Sequence, residues 1–201
     1  MSIGSETPLL PGFKAPVADA QRVFQACMRA LSRPGRIVAL DTALTPPPPL
    51  SPEIAAILLA LADHETRVWL APAAARAPVA QFLSFHTGTR LTADLADADF
   101  AVATDGAQMP PLSSLPQGTP EYPDRSATLI VQVAGFRSGG LQLEGPGIDG
   151  RISIGIDGVP ADFAAQLSAN RTAYPCGVDV ILVAPGGIVG LPRSIRVVKG
   201  G

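Results

Sequence analysis

Histidine and lysine are nearly missing from this 201-residue chain, which carries two of each. The lysines, Lys14 and Lys199, lie near the two ends. No interior lysine is available to form an imine, so Schiff-base chemistry on pyridoxal phosphate is excluded and no cofactor is expected. Cysteine is as scarce: Cys27 and Cys176 form no Cys-x-x-Cys pair and no disulfide framework, which suits a reduced, cytoplasmic setting. The longest apolar run, from Ile54 to Ala62, is far shorter than the roughly 20 residues that span a bilayer, so no membrane segment is expected. The N-terminus shows no basic region followed by an apolar one, so no signal peptide is expected. Charged residues make up 16% of the chain against about 25% in an ordinary soluble domain. With a net charge of −2, nothing suggests a nucleic-acid footprint. A surface short of charge points instead to a partner that covers part of it, and the isolated chain is expected to be a homodimer.

What is present reads as an α/β protein. Phe24, Cys27, Met28 and Leu31 recur at helical spacing over Asp19–Leu31, placing Cys27 on a buried stripe as an inert thiol. Ser32-Arg33-Pro34-Gly35 stops that helix, Arg36–Leu40 reads as a strand, and Pro46–Pro49 reads as a stiff extended connector. Ser51, Pro52 and Glu53 open a second helix, Pro52–Ala62, that is apolar on every side. Val68-Trp69-Leu70 begins a strand, and a third helix covers Ala74–Ser84. Apolar runs at 100–103, 128–133 and 141–143 follow. A short helix fits Pro160–Ser168, and strands fit 178–184, 187–191 and 195–198. Residues 1–201 are expected to form a single three-layer domain, a mixed sheet with helices on both faces, after an N-terminal lead over 1–16 that is poorly ordered at its start.

Several motifs fail on inspection. Gly145-Pro146-Gly147-Ile148-Asp149-Gly150 matches a dinucleotide fingerprint, but the strand-like Arg151–Gly155 follows where a helix must start, so it is a tight turn. No Walker A loop is present. His64-Glu65-Thr66-Arg67-Val68 lacks the second histidine of a zincin, Ser153 lacks the glycine two residues before it that a nucleophile elbow needs, and no metal site is expected. Two polar knots remain, Asp63-His64-Glu65 and Phe85-His86-Thr87-Gly88. They hold both imidazoles, so any histidine chemistry runs through Asp63, His64, His86 or Thr87. Each histidine can equally cap an element by bonding backbone. Because the apolar second helix must end near the core, Asp63, His64 and His86 are predicted to converge on one polar cluster. The chain uses 13 arginines, whose planar forks suit anions, and Arg33 and Arg193 are the best anion-binding candidates, against the plainer reading of surface pairs.

Taken in order, these stretches resemble the H-subunit family of the bacterial carbon–phosphorus lyase core complex. The resemblance is carried by Asp19-Ala20-Gln21 with Phe24, Ser32–Gly35, Leu61–Thr66 leading to Val68-Trp69-Leu70, Phe85–Gly88, Gly118-Thr119, Ala127–Ile130, Gly145–Ile148, Pro175 with Gly177-Val178-Asp179, and Leu191-Pro192-Arg193. It spans about residues 17–196. Gln25, Arg67 and Cys176 depart from it. The resemblance implies a fold like the pyridoxal-phosphate-dependent transferases without their cofactor. It implies assembly with subunits G, I and J, and a part in converting ATP and an alkylphosphonate to ribose 1-phosphonate 5-triphosphate with release of adenine. It assigns no catalytic residue here. The alternative is an enzyme that binds a phosphonate or nucleotide near His64 and His86, with acid–base chemistry of its own.

Overall fold

The central parallel strands of this protein are apolar on both faces through their middles, as strands covered on both sides must be. The structure, a computed structural model, describes residues 9–198. Lys199 and the start of the N-terminal lead therefore lie outside the described residues. Helices α1 (Pro16–Ser32), α2 (Pro52–Leu61), α3 (Ala77–Thr87) and α4 (Phe163–Thr172) accompany ten strands. These are β1 (Val38–Ala39), β2 (Arg67–Leu70), β3 (Arg90–Thr92), β4 (Phe100–Ala103), β5 (Thr128–Gln132), β6 (Gly135–Glu144), β7 (Ile152–Asp157), β8 (Asp179–Ala184), β9 (Gly187–Leu191) and β10 (Arg196–Val198). A seven-stranded mixed sheet has the order β1-β9-β8-β5-β4-β2-β3, and a three-stranded antiparallel sheet has the order β10-β6-β7. In the larger sheet β3, β2, β4, β5 and β8 are parallel, while β9 runs antiparallel to both β8 and β1.

Alternation along the strands sorts the core into two sides. Val68, Val102, Ile130, Ile181 and Val183 face α1, α2 and α3, whereas Ala101, Leu129, Val131, Val180 and Leu182 face the other way. Helices do cover both faces, but unequally. Of the four α-helices only α4, through Phe163 and Leu167, covers the second face, beside Leu143, Ile154 and Ile156 of the small sheet and Met109, Leu112 and Leu115 of the connection after β4.

Element starts and stops follow local chemistry. Ser51 caps α2 by accepting the Ile54 N–H at 3.3 Å, with Pro52 in the first turn. Residues 74–76, expected as the start of α3, belong instead to a turn in which Ala71 O accepts from the N–H groups of Ala74 and Ala75. The helix begins later, with Pro78 in the first turn where its missing N–H costs nothing. It therefore takes in His86 and Thr87 and ends at Gly88, whose φ of 70° is the left-handed cap glycine favours. The last helix is likewise displaced, to Phe163–Thr172, because 160–163 closes as a turn. Pro46–Pro49 is not extended throughout: Leu50 N–H returns to the Pro47 carbonyl at 3.2 Å. The Arg36–Leu40 strand shortens to two residues.

The largest departure concerns α1. Its buried face is Val23, Ala26, Cys27 and Ala30, while Phe24 and Met28 are 47% and 42% exposed. The reason lies opposite: Gly190 of β9 sits so close that a Cβ there would come within 2.5 Å of the Ala30 carbonyl. Only small side chains on α1 permit that approach. Cys27 is buried as expected, and burial pushes its thiol up to about 12. A thiol-reactive dye at pH 8 should consequently find Cys27 protected in the native protein and reactive only in denaturant; labelling of Cys27 at the unfolded rate in the folded protein would contradict this burial.

Candidate functional site

All six residues singled out from the sequence fall at one edge of the large sheet, where its parallel strands begin. The loop 63–66 leads into β2 and Gly88-Thr89 leads into β3. Asp179 opens β8, and Leu191, two residues before Arg193, pairs with Val180 at the same end. Arg33 follows α1 near Gly190, whose carbonyl accepts the Gly35 N–H at 3.2 Å.

Two of these loops do meet. Thr66 O accepts the Thr89 hydroxyl at 2.8 Å and the Arg90 N–H at 3.1 Å, and Gly88 packs against His64, with room for a Cβ 3.5 Å from the His64 Cβ. The functional groups nevertheless turn to separate partners. Asp63 Oδ1 accepts the Thr66 hydroxyl at 2.8 Å, the Glu65 N–H at 2.9 Å and the Thr66 N–H at 3.1 Å, all within its own turn. Those donors, the Thr66 hydroxyl foremost, hold its carboxyl below the usual carboxylate range. His86 Nε2 donates to the Leu10 carbonyl at 2.9 Å, and its ring meets Phe82 and Phe85 edge-on at 4.6 and 5.0 Å. Gly12 lies against the same ring so closely that a Cβ would come within 2.8 Å of Nδ1. His86 is thus a staple for the chain preceding α1. Thr87 donates to Leu83 O at 2.8 Å and accepts the Thr89 N–H at 3.0 Å, closing the end of α3. His64 is exposed, and the end of α2 is closed by the Ala62 N–H on Leu58 O rather than by imidazole.

Arg193, singled out as an anion-binding candidate against the plainer reading of a paired arginine, is paired within the protein. Its Nε and Nη2 bond Asp179 at 3.2 and 2.8 Å, and Nη1 donates to Pro123 O at 2.6 Å. The bidentate pair ties the loop after β9 to the start of β8, and the third N–H reaches the loop ahead of β5, a structural use of the fork. Arg33 is exposed at the end of α1. Among the described residues no three His, Cys, Asp or Glu side chains gather as metal ligands, and no helix is long and apolar enough to cross a membrane.

The two histidines should therefore separate on mutation. Replacing His86 with alanine orphans the Leu10 carbonyl and is expected to cost about 1–2 kcal/mol. His64→Ala should change stability by less than about 0.5 kcal/mol. Denaturant melts compare them directly, and equal losses would contradict the staple.

Sequence reasoning missed the opposite edge, where β4, β5 and β8 end around Asp105, Gln132 and Pro185 and a crevice opens. A polar residue closing an apolar run gives no signal beyond the end of a strand.

Geometry thus defines a mixed α/β protein in which Asp63, His86 and Thr87 hold local chain segments while His64 stays exposed. Comparison with known proteins supplies its kinship. The family model described as "Bacterial phosphonate metabolism protein (PhnH)" matches residues 11–198, and the chain belongs to that family. It is 40% identical over 185 residues to the "Alpha-D-ribose 1-methylphosphonate 5-triphosphate synthase subunit PhnH" of Rhizobium meliloti (strain 1021), covering 92% of each chain. It is 31% identical over 182 residues to the "Putative C-P lyase subunit protein HtxG" of Stutzerimonas stutzeri, covering 88% of this chain and 85% of that relative.

Proposed function

We propose that this protein is a subunit of a carbon–phosphorus lyase core complex. It is required for converting ATP and an alkylphosphonate to ribose 1-phosphonate 5-triphosphate with release of adenine, and it contributes surface rather than a reacting group. The observation that carries the reading is its 40% identity, over 92% of both chains, to a relative named as a subunit of such a synthase. The outward stripe of α1 supports the surface role. Val17, Phe24 and Met28, at 84%, 47% and 42% exposure, share one side of the helix two turns and one turn apart. An apolar stripe of that kind is costly to leave in water and suits a permanent partner. The proposed partners are subunits G, I and J. In their absence a second copy takes the same face, giving a cytoplasmic homodimer of one α/β domain, folded like a pyridoxal-phosphate transferase but carrying no cofactor.

Co-expression with tagged subunits G, I and J tests the reading. The chain should co-purify stoichiometrically, and synthase activity on ATP and methylphosphonate should vanish when it alone is omitted. An active complex lacking the chain would overturn the proposal. Light scattering on the isolated protein tests the homodimer: a standard interface of about 1,600 Å² predicts a dimer at micromolar concentration, and monomer alone would contradict it.

A further inference from the structure

We propose that a second crevice at the carboxyl edge, over the ends of β2 and β3, binds a flat aromatic anion, a ring carrying a phosphate, phosphonate or carboxylate. The crevice holds about 530 Å³, well inside the range of small-molecule sites. It is lined by Trp69 and Leu70 from β2, Ala77 and Ala80 from α3 and Leu91 from β3, with Arg76 from the connection between β2 and α3. In open α/β sheets ligands settle outside the carboxyl ends of parallel strands, where the strand order reverses. Here β2 is the strand of reversal, since β3 and β4, the next two in the chain, pair with its opposite sides. The crevice occupies the β3 side of that strand.

Three observations define the ligand. The first is an aromatic surface left partly open. Trp69, the single tryptophan of the chain, is half-buried, and Leu91 in the same crevice keeps 36% of its surface exposed. An indole offers stacking or edge-on packing to another ring, which aliphatic walls do not. Space is the second. Ala75, Ala77, Ala80 and Ala93 contribute side chains no longer than a methyl group, which leaves the volume open and its lining apolar. Charge is the third. Arg76 is the only charged residue lining the crevice among the described residues. Its Nε donates to the Ala73 carbonyl at 3.1 Å, while Nη1 and Nη2 have no protein partner among the described residues. Thr92, by contrast, is bonded within its own turn, its hydroxyl accepting the Asp94 N–H at 3.1 Å, and Asp94 Oδ1 accepts the Ala96 N–H at 2.9 Å. A planar guanidinium with two unengaged nitrogens suits an oxyanion. The frame is fixed as well. Ala71 N–H bonds the Val102 carbonyl at 2.8 Å, and the Ala71 carbonyl holds Ala74 and Ala75, so the turn carrying Arg76 is anchored to β4. This inference stands independently of the subunit reading, since it concerns what the isolated chain can hold.

Tryptophan fluorescence of the full-length wild-type protein provides the test, because Trp69 alone reports when excitation avoids tyrosine. Phenylphosphonate carries its anion directly on the ring and AMP carries it at a distance, so the two titrations distinguish two sources of the same chemistry. At least one of them should change the emission saturably, half-saturating below about 1 mM. Methylphosphonate, which has the anion and no ring, should not. Ala80→Leu, which fills the crevice, and Arg76→Gln, which removes the charge, should each weaken binding at least about tenfold with an unchanged melt. Three results would each overturn the proposal: no saturable change with either aromatic anion, methylphosphonate bound as tightly as they are, or binding undiminished in either folded variant. The wild-type titrations decide the matter even if both variants fail to fold.

Discussion

Replacing Gly190 with alanine is expected to destabilise the protein by about 3 kcal/mol, the upper part of the range for overpacking a closed interior. The added carbon would meet backbone rather than a flexible side chain. It would lie 2.5 Å from both the carbon and the oxygen of Ala30 and 2.6 Å from Leu31 N. Nothing there can rotate away, so α1 must lift off β9 as a body and disturb the packing of Val23, Ala26, Cys27 and Ala30. For a chain of this length that loss corresponds to a melting temperature lowered by roughly 6–12 °C. Gly135 is the control. Its φ is not positive and a Cβ there meets nothing within 4 Å, so Gly135→Ala should melt within about 1 °C of wild type. A Gly190→Ala protein that melts with the wild type would show that α1 does not press on the sheet as described.

Substituting aspartate for both Phe24 and Met28 is expected to leave the fold intact and abolish association. Both side chains lie on the outward stripe of α1, about half exposed, so the isolated chain loses little by their removal. A partner that covers their exposed halves gains roughly 0.7–1.5 kcal/mol from each. Loss of the pair therefore removes roughly 1.5–3 kcal/mol of association, about tenfold to a hundredfold in affinity. Two new carboxylates facing an apolar partner add a desolvation penalty. Circular dichroism should show an unchanged melt while sedimentation shows monomer, and the variant should fail to co-purify with the other subunits. Assembly at wild-type affinity would place the interface elsewhere.

These two predictions meet at the point where the sequence was least transparent. Large apolar residues at helical spacing, Phe24, Met28 and Leu31, look like a core stripe, yet the helix buries Ala26 and Ala30 beside Val23 and Cys27. Hydropathy favours the larger side chains, but the space between α1 and β9 admits only the smaller ones, and that space is set by a glycine more than 150 residues further along the chain. Central strands fared better, since β4, β5 and β8 are apolar between their ends and their burial on both faces leaves no ambiguity of period. Local chemistry was legible too: Ser51 caps α2, and Gly88 takes the left-handed turn its position demands.

For the polar knots, the residues could be named but not their use. Asp63 spends its carboxylate within three residues, which a turn pattern reveals. His86 and Arg193 reach Leu10 and Pro123, separated from them by 76 and 70 residues, and no local pattern announces such partners.

The central claim, that the chain supplies surface and not a reacting group, is tested most directly by the turnover of the reconstituted complex. Asp63→Asn, His64→Ala and His86→Ala proteins, each assembled with the other subunits and assayed at saturating ATP and methylphosphonate, should turn over within about twofold of wild type per assembled complex, since Asp63 is engaged within its own turn and His86 holds the Leu10 carbonyl. A hundredfold loss of turnover in any variant that folds and assembles normally would contradict the account and place acid–base chemistry at that residue.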